Sequence, residues 1–211
     1  RLAGSVAHEL RNPLGVITNA IYYLRMVLEE TDVKIQEYLQ LVDTEAKRAA
    51  AILTELLDFT QIGSAQRSNV EVSRLIEDVF AEKPAPDQIR VHVDVPEETP
   101  LLFVDRSHAM RIVKNLIVNA YQAMPEGGKL SLTADAKEDA IEIAVSDTGM
   151  GIPAENREKI FEPLFTTKAR GIGLGLAISR KLANINGGEI NVESSLGDGS
   201  TFRVCLPLAQ R

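Results

Sequence analysis

Two polar clusters in this sequence have residue types and spacings that could carry chemistry, and the first lies near its start. In the stretch SVAHELRNPLGVI, His8 stands beside Glu9. A carboxylate that takes the proton from one imidazole nitrogen leaves the other nitrogen more nucleophilic. On a helix that buries Leu10, His8 is rotated by about 200° from that side chain. We therefore predict a solvent-facing imidazole suited to group transfer, the alternative being a surface histidine without a chemical role.

The second cluster lies in the second half of the chain. Asn115 and Asn119 are one helical turn apart in MRIVKNLIVNAYQAM, so their amide oxygens can point toward one ligand, such as a metal ion. Asp147 begins the motif DTGMGI at the end of an apolar strand pattern. Its carboxylate could accept a hydrogen bond from an exocyclic amine such as that of adenine, and Gly149 and Gly151 allow a close backbone approach.

A third motif, GIGLGLAISRKL, contains Gly171, Gly173 and Gly175 and opens a helix. Free N–H groups at a helix start favour phosphate binding. No lysine followed by Ser or Thr comes after the last glycine, so this is not a P-loop. The segment before this motif, which begins at residue 161, ends with Lys168 and Arg170, and these cations could neutralise phosphate charge. We interpret this segment as a lid over a nucleotide.

The composition limits the function classes. The 211 residues have a net charge of −7, which argues against a nucleic-acid partner. A lone cysteine indicates a reducing compartment, so we expect a cytoplasmic chain. No apolar run is long enough to span a membrane, and we expect no membrane contact by this chain. Membrane anchoring of a longer protein stays open.

Apolar residues at alternating steps of three and four predict two helices in the first 62 residues. The two seams are Leu10, Leu14, Ile17, Ile21, Leu24 and Leu28, then Ile35, Leu39, Val42, Ala46, Ala49, Leu53 and Leu56. A hairpin of this size leaves apolar surface exposed, so we predict a homodimer with a four-helix bundle, the alternative being packing against the rest of the chain.

The remaining chain has a different pattern. Polar residues 63–69 suggest a linker, and residues 70–211 alternate strand and helix signals. The strands come in adjacent pairs, which predicts a mixed sheet with helices on one face, an α/β sandwich. We therefore expect three segments, namely a helical hairpin over 1–62, a linker over 63–69 and an α/β domain over 70–211.

Five motifs in this order, AHELRNPL, NLIVNAYQAM, DTGMGI, FEPLFTTK and GIGLGLAI, resemble the H, N, G1, F and G2 boxes of bacterial sensor histidine kinases. The resemblance implies a dimerisation and phosphotransfer hairpin followed by an ATP-binding domain of the gyrase and Hsp90 type. It implies autophosphorylation with ATP and Mg²⁺, and transfer of the phosphoryl group to an aspartate in the receiver domain of a response regulator.

The resemblance also implies roles for single residues. His8 would accept the phosphoryl group, Glu9 would be its base, and Glu9 with Asn12 matches a pattern linked to phosphatase activity toward the regulator. In the second half, Asn119 would bind Mg²⁺ with Asn115 nearby. The remaining predicted nucleotide contacts are Asp147 for the adenine amine, Gly149 and Gly151 for the adenine pocket, and Gly171, Gly173 and Gly175 for the phosphates.

One departure from the family pattern carries a hypothesis. Many members have a lysine three residues after the second asparagine of the N box, where this chain has Gln122. We expect Lys168 or Arg170 to supply the missing cation. Two rival functions stay open, an ATPase of the gyrase or Hsp90 kind that drives motion and a non-catalytic nucleotide-gated scaffold.

Overall fold

The computed structural model describes residues 2–28, 33–168 and 172–209, of which residues 2–13, 27, 55, 58 and 61 are described without their side chains. The chain divides into two compact units, the first ending at Gly63 and the second beginning at Ser64.

The first unit is a helical hairpin. Helix α1 (Leu2–Val27) and helix α2 (Val33–Gln61) pack on each other, and α1 continues through Pro13. Few apolar side chains are buried between them, with Ile21 and Leu57 among those described. Several seam residues remain exposed, namely Ile17, Leu24, Ile35 and Val42. No helix of the described residues has an apolar stretch long enough to cross a membrane.

The second unit is the predicted α/β sandwich. Its strands are β1 (Ser68–Val70), β2 (Ile89–Asp94), β3 (Leu102–Val104), β4 (Gly128–Ala136), β5 (Ala140–Asp147), β6 (Glu189–Ser195) and β7 (Gly199–Pro207). Its helices are α3 (Val72–Glu82), α4 (Arg106–Ala123) and α5 (Gly175–Ile185), with short 3₁₀ turns at Ala154–Asn156 and Lys159–Phe161.

A five-stranded sheet in the order β2-β4-β5-β7-β6 forms the main layer, and β1 pairs with β3 separately. The β2–β4 pair is parallel and the other pairs of the large sheet are antiparallel, so the prediction of a mixed sheet is confirmed. One face is apolar because inward positions alternate along each strand. A representative cross-strand row is Leu132, Val145, Phe202 and Val192.

The helices cover this apolar face. Buried α4 residues recur at helical spacing and include Ile112, Val113, Leu116 and Ile117, while α5 contributes Ile178 and Leu182. Asp105 caps α4 as its sequence position predicts, because its side chain accepts hydrogen bonds from the N–H groups of Ser107 and His108. Helix α4, which carries Asn115 and Asn119, is thus fixed against the sheet.

Much of the segment expected to be a linker belongs to the second unit. Residues 68–70 form β1, and the Gln66 N–H donates to Asp105 Oδ2 at 2.9 Å. Arg67 Nη2 donates to the carbonyl of Ile185 at 3.1 Å. These bonds tie residues 66 and 67 to the second unit, which starts at Ser64, before the predicted position 70.

Candidate functional site

Asp147 lies at the end of β5, where cross-strand pairing puts it beside Leu130 and Ser200. Its side chain is buried, and its Oδ1 accepts a hydrogen bond from the Gly149 N–H at 2.8 Å. Burial raises the pKa of Asp147 above its ordinary value, against the opposing effects of the Gly149 and Ser200 N–H groups and the Lys168 ammonium. A buried carboxylate at a strand end fits the predicted role of binding an amine.

The loop after Asp147 runs close to neighbouring backbone. A Cβ atom on Gly149 would lie 2.5 Å from the Ala123 carbonyl oxygen, which already accepts a hydrogen bond from Met150. Gly151 has φ +70°, and a side chain there would collide with the backbone of Ser195. Both glycines are therefore required by the backbone packing of this loop, and their predicted place in an adenine pocket stays a prediction.

Asn115 ties the two site helices together. Its Nδ2 donates to the Gly175 carbonyl at 3.0 Å and to Ser179 Oγ at 3.1 Å, and Ser179 Oγ donates to the same carbonyl at 2.9 Å. Ser179 is fully buried. The amide of Asn115 is thus fixed against the first turn of α5, which holds the glycine-rich helix start beside α4.

Asn119 and Gln122 face a cation from the lid. Lys168 Nζ donates to Asn119 Oδ1 at 2.9 Å and to Gln122 Oε1 at 2.6 Å. Although Lys168 as a residue is exposed, surrounding protein atoms desolvate its ammonium and lower its pKa, and the Asp147 charge partly opposes this shift. One lysine therefore interacts with the amide pair of α4 and, electrostatically, with Asp147.

The start of the lid is anchored by aromatic contacts. The Phe161 ring meets Phe202 edge-on at 6.4 Å between centroids, and the Arg180 guanidinium lies 5.2 Å from the Phe161 centroid. Further along, the Leu164 N–H donates to the Gly173 carbonyl at 3.0 Å. The Lys168 N–H donates to Thr166 Oγ1, which fixes the turn that carries the lysine.

The third glycine motif lies where α5 begins. This helix starts at Gly175, the last of the three glycines, because Gly173 has φ +74°, outside the helical region. Leu174 precedes the helix without a side-chain cap bond. Gly171 and Arg170 lie outside the described residues, so their predicted phosphate contacts stay predictions.

The residues predicted to carry out phosphotransfer lie on the first unit. His8, Glu9 and Asn12 belong to α1, and their side chains lie outside the described residues. The solvent-facing orientation of His8 therefore stays a prediction.

Three residues at the site were not identified as functional from the sequence. Ser179 and Ser200 hold Asn115 and Asp147, and Gln122 binds Lys168. The position of Gln122, three residues after Asn119, was the available signal, and it was interpreted as a missing cation instead of a binding partner for one.

The family comparisons agree with this geometry. Residues 104–210 match the model of the histidine kinase-, DNA gyrase B-, and HSP90-like ATPase family, and residues 1–65 match the His Kinase A (phospho-acceptor) domain. The chain therefore belongs to the histidine kinase family, with a phospho-acceptor hairpin followed by an ATP-binding domain of the gyrase and Hsp90 type.

Two individual relatives share about a third of their aligned residues with this chain, and both are longer than it. The chain is 35% identical to the signal transduction histidine-protein kinase AtoS of Escherichia coli, over 98% of the chain and 34% of that protein. It is 30% identical to sporulation kinase E of Bacillus subtilis, over 99% of the chain and 28% of that protein. The chain thus spans about a third of the length of these relatives.

Two solved structures resemble nearly the whole chain. Full-length ShkA in complex with AMPPNP matches with a TM-score of 0.82 and 25% identity, over 100% of this chain and 46% of that one. Histidine kinase ThkA in complex with the response regulator TrrA matches with a TM-score of 0.71 and 29% identity, over 99% of this chain and 61% of that one.

Proposed function

We propose that this chain is the catalytic core of an ATP-dependent protein-histidine kinase that phosphorylates His8 and passes the phosphoryl group to an aspartate of a response regulator. The observation that carries the proposal is the meeting of Asn119, Lys168 and Asp147 in one site. That site combines an amide oxygen facing a cation with a buried carboxylate, which are the groups needed for phosphates and for an adenine amine. The matched ATP-binding domain and the AMPPNP complex of ShkA support this reading.

Asn119 is the residue that fits Mg²⁺. Its Oδ1 already accepts a hydrogen bond from a cationic ammonium at 2.9 Å, so the oxygen is oriented toward positive charge. Mg²⁺ prefers oxygen ligands and is commonly held by one or two protein groups together with substrate phosphates. When bound with the nucleotide, the metal would neutralise charge that develops on the phosphates.

In the proposed reaction, a ring nitrogen of His8 forms a bond to the γ-phosphorus of ATP. The bond from that phosphorus to the bridging oxygen breaks, and its electron pair leaves with ADP. Glu9 accepts the proton of the other ring nitrogen and so raises the nucleophilicity of the attacking nitrogen. A receiver-domain aspartate then takes the phosphoryl group from His8. Such transfer depends mainly on positioning and charge stabilisation.

Lys168 provides the charge that Gln122 lacks. The family pattern expects a lysine on α4, and here an ammonium from the lid reaches the same face of that helix. We infer that Lys168 contacts the nucleotide phosphates when they bind, and that Arg170 is a second candidate for the same contact. If Lys168→Ala and Arg170→Ala both leave ATP affinity unchanged, this assignment is wrong.

The proposed partners are a second copy of the chain and a response regulator. Ile17, Leu24, Ile35 and Val42 lie on the heptad seams and are exposed in the single chain, as an unfilled four-helix bundle requires. Tyr22, Tyr23 and Met26 are exposed on α1 and are candidate contacts for a receiver domain. The structure of ThkA with TrrA supports a partner of this kind. Glu9 and Asn12 would support dephosphorylation of that partner.

The hydrolytic alternative is disfavoured by Asn115. In the gyrase and Hsp90 type of ATPase a glutamate at this position activates water, whereas an amide takes no proton at neutral pH. Here its Nδ2 is also committed to Gly175 and Ser179. We therefore expect little turnover of ATP without phosphohistidine.

The experiment is incubation with γ-labelled ATP and Mg²⁺, followed by mapping of the labelled residue. We expect acid-labile, base-stable label on His8 and none on His8→Ala, with ATP affinity retained in that variant. Label on His8→Ala would refute the assignment of the phospho-acceptor. ATP hydrolysis without protein label would favour the ATPase alternative, and nucleotide binding with neither activity would favour a scaffold.

A further inference from the structure

We propose that Gln122 is a positioning residue: it holds the lid lysine Lys168 at the Asn119 amide oxygen, so that this oxygen is used in turn by the ammonium and by the cation that accompanies the nucleotide. The inference rests on the proposed nucleotide site. It assigns a role to a position that the family pattern marks only as a lost lysine.

The geometry gives Gln122 the closer contact. Gln122 follows Asn119 by three residues, so both side chains project from the same face of α4. Lys168 Nζ lies 2.6 Å from Gln122 Oε1 and 2.9 Å from Asn119 Oδ1. An ammonium has three N–H donors, and these two contacts use two of them. The lysine is therefore held at two points by α4.

A neutral amide suits this task for an electrostatic reason. The carbonyl of Gln122 orients the ammonium without cancelling its charge, which remains available for phosphates. A carboxylate at position 122 would pair with Lys168 and add negative charge beside the phosphates. A lysine at position 122 would repel Lys168 from the helix. Glutamine at 122 and lysine at 168 therefore work as a matched pair.

The arrangement makes lid and metal compete for one atom. An ammonium and a metal ion on the same Asn119 oxygen would repel each other, so Asn119 Oδ1 exchanges one for the other, whereas Gln122 Oε1 can keep its hydrogen bond to Lys168. The lysine would then stay beside the phosphates after the exchange. In the nucleotide-free chain the same contacts tie the lid to α4. Lys168 follows Asn119 by 49 positions and Gln122 by 46 positions in the sequence, so the two hydrogen bonds connect distant parts of the chain.

The test measures nucleotide affinity and lid protection in the full chain. The variants are Gln122→Leu, Gln122→Lys, Lys168→Gln and the transposed double variant Gln122→Lys/Lys168→Gln. Matched controls are Lys129→Gln, an exposed lysine on β4, and Gln40→Leu, an exposed glutamine on α2. Equilibrium titration with a fluorescent ATP analogue is run with Mg²⁺ and with EDTA, and hydrogen exchange of residues 161–168 is recorded without nucleotide.

We expect Gln122→Leu to raise the Kd for Mg²⁺-nucleotide roughly threefold to tenfold, the range for losing one hydrogen bond of ordinary net strength between exposed side chains. Both Gln122→Leu and Lys168→Gln should speed lid exchange. The transposed variant should recover affinity to within about threefold of the parent chain, since the charge returns to the site from the helix. Its lid should exchange more slowly than that of Lys168→Gln, because the lysine introduced on the helix can donate to the glutamine introduced on the lid.

The outcomes distinguish a failure of the role given to Gln122 from a failure of the proposed function. If the parent chain binds nucleotide and every Gln122 variant binds as tightly, Gln122 positions nothing and the inference is overturned while the site stands. If the transposed variant stays as weak as Lys168→Gln, charge exchange between the two positions is also refuted. A parent chain that binds no ATP analogue overturns the proposed function itself.

Discussion

Asn186 Oδ1 accepts a hydrogen bond from the backbone N–H of Asp105 at 2.8 Å, although 81 residues separate them. Asn186 is the C-cap residue of α5, and Asp105 is the N-cap residue of α4. The Asn186 Nδ2 also donates to the Leu182 carbonyl at 2.7 Å and to His108 Nδ1 at 3.1 Å. This one buried amide therefore fixes the two site helices relative to each other.

The first prediction concerns this amide. Asn186→Ala leaves the part-buried Asp105 N–H without its partner, which costs at most about 1–3 kcal/mol. We expect a lower urea midpoint and faster hydrogen exchange in α4 and α5. Asn184→Ala, an exposed asparagine of the same helix, should change neither. Equal stability of the two variants would show that the Asn186 bonds contribute nothing net.

The second prediction concerns the pH dependence of the α4 cap. Burial alone would raise the pKa of Asp105, but hydrogen bonds from Ser107, Gln66 and His108 outweigh it and lower the pKa. A lowered pKa in the folded chain adds stability that is complete above the unfolded value of about 3.9. That stability is lost as the pH falls through the folded value.

Asp105→Asn keeps a capping side chain but does not titrate. The stability advantage of the parent chain over this variant should therefore be constant near neutral pH and shrink in acid below about pH 3.9. Urea unfolding at a series of pH values measures it. An advantage that grows on acidification would contradict the lowered pKa.

The third prediction concerns Asp147, whose pKa is shifted in the opposite direction to that of Asp105. Burial raises the pKa of Asp147, so the unfolded chain ionises first as the pH rises. Relative to the non-titrating Asp147→Asn, the parent chain should lose stability from about pH 3.9 upward until the folded carboxyl ionises, and then level off. The same urea series measures this difference, and a rising trend would contradict it.

Asp147→Asn should also weaken nucleotide binding, by a few kcal/mol at most, as expected for one buried charged hydrogen bond. Titration with an ATP analogue measures the loss. Ser131→Ala, on a neighbouring strand, serves as a control because its half-buried side chain lies outside the site. Unchanged affinity in Asp147→Asn would remove Asp147 from the site.

The elements of the fold differ in whether residues close together in sequence or distant residues determine them. Helix α4 could be predicted because its apolar period and its cap Asp105 lie next to each other in sequence. Strands β1 and β3 could not, because three-residue strands exist only through pairing with each other. Helix α3 was also missed, although its buried residues Val72, Leu75, Ile76 and Val79 have helical spacing.

The site shows the same division. Motif chemistry predicted Asp147, Asn119 and Lys168 as members of one site, because residue type alone limits what each can bind. The binding of Lys168 by Gln122 depends on the path of the lid, which no local pattern encodes. The family pattern even directed attention away from Gln122, since it marked the position as a loss.

The last prediction concerns backbone strain in the lid. Leu164 has φ +68°, a left-handed conformation that costs a residue with a Cβ about 1–2 kcal/mol. Its side chain is 62% exposed, so little burial offsets that cost. Its own N–H nevertheless donates to the Gly173 carbonyl, which links the lid to the segment before α5.

Asparagine tolerates this conformation well, whereas a β-branched residue does not. Leu164→Asn should therefore slow hydrogen exchange in residues 161–168, and Leu164→Val should speed it. Because the same lid carries Lys168, the two variants should respectively tighten and weaken nucleotide binding. The same changes at Leu196, an exposed leucine without a positive φ, are the control. Exchange rates that respond alike to Asn and Val would show that side-chain size at position 164, and not backbone strain, governs the lid.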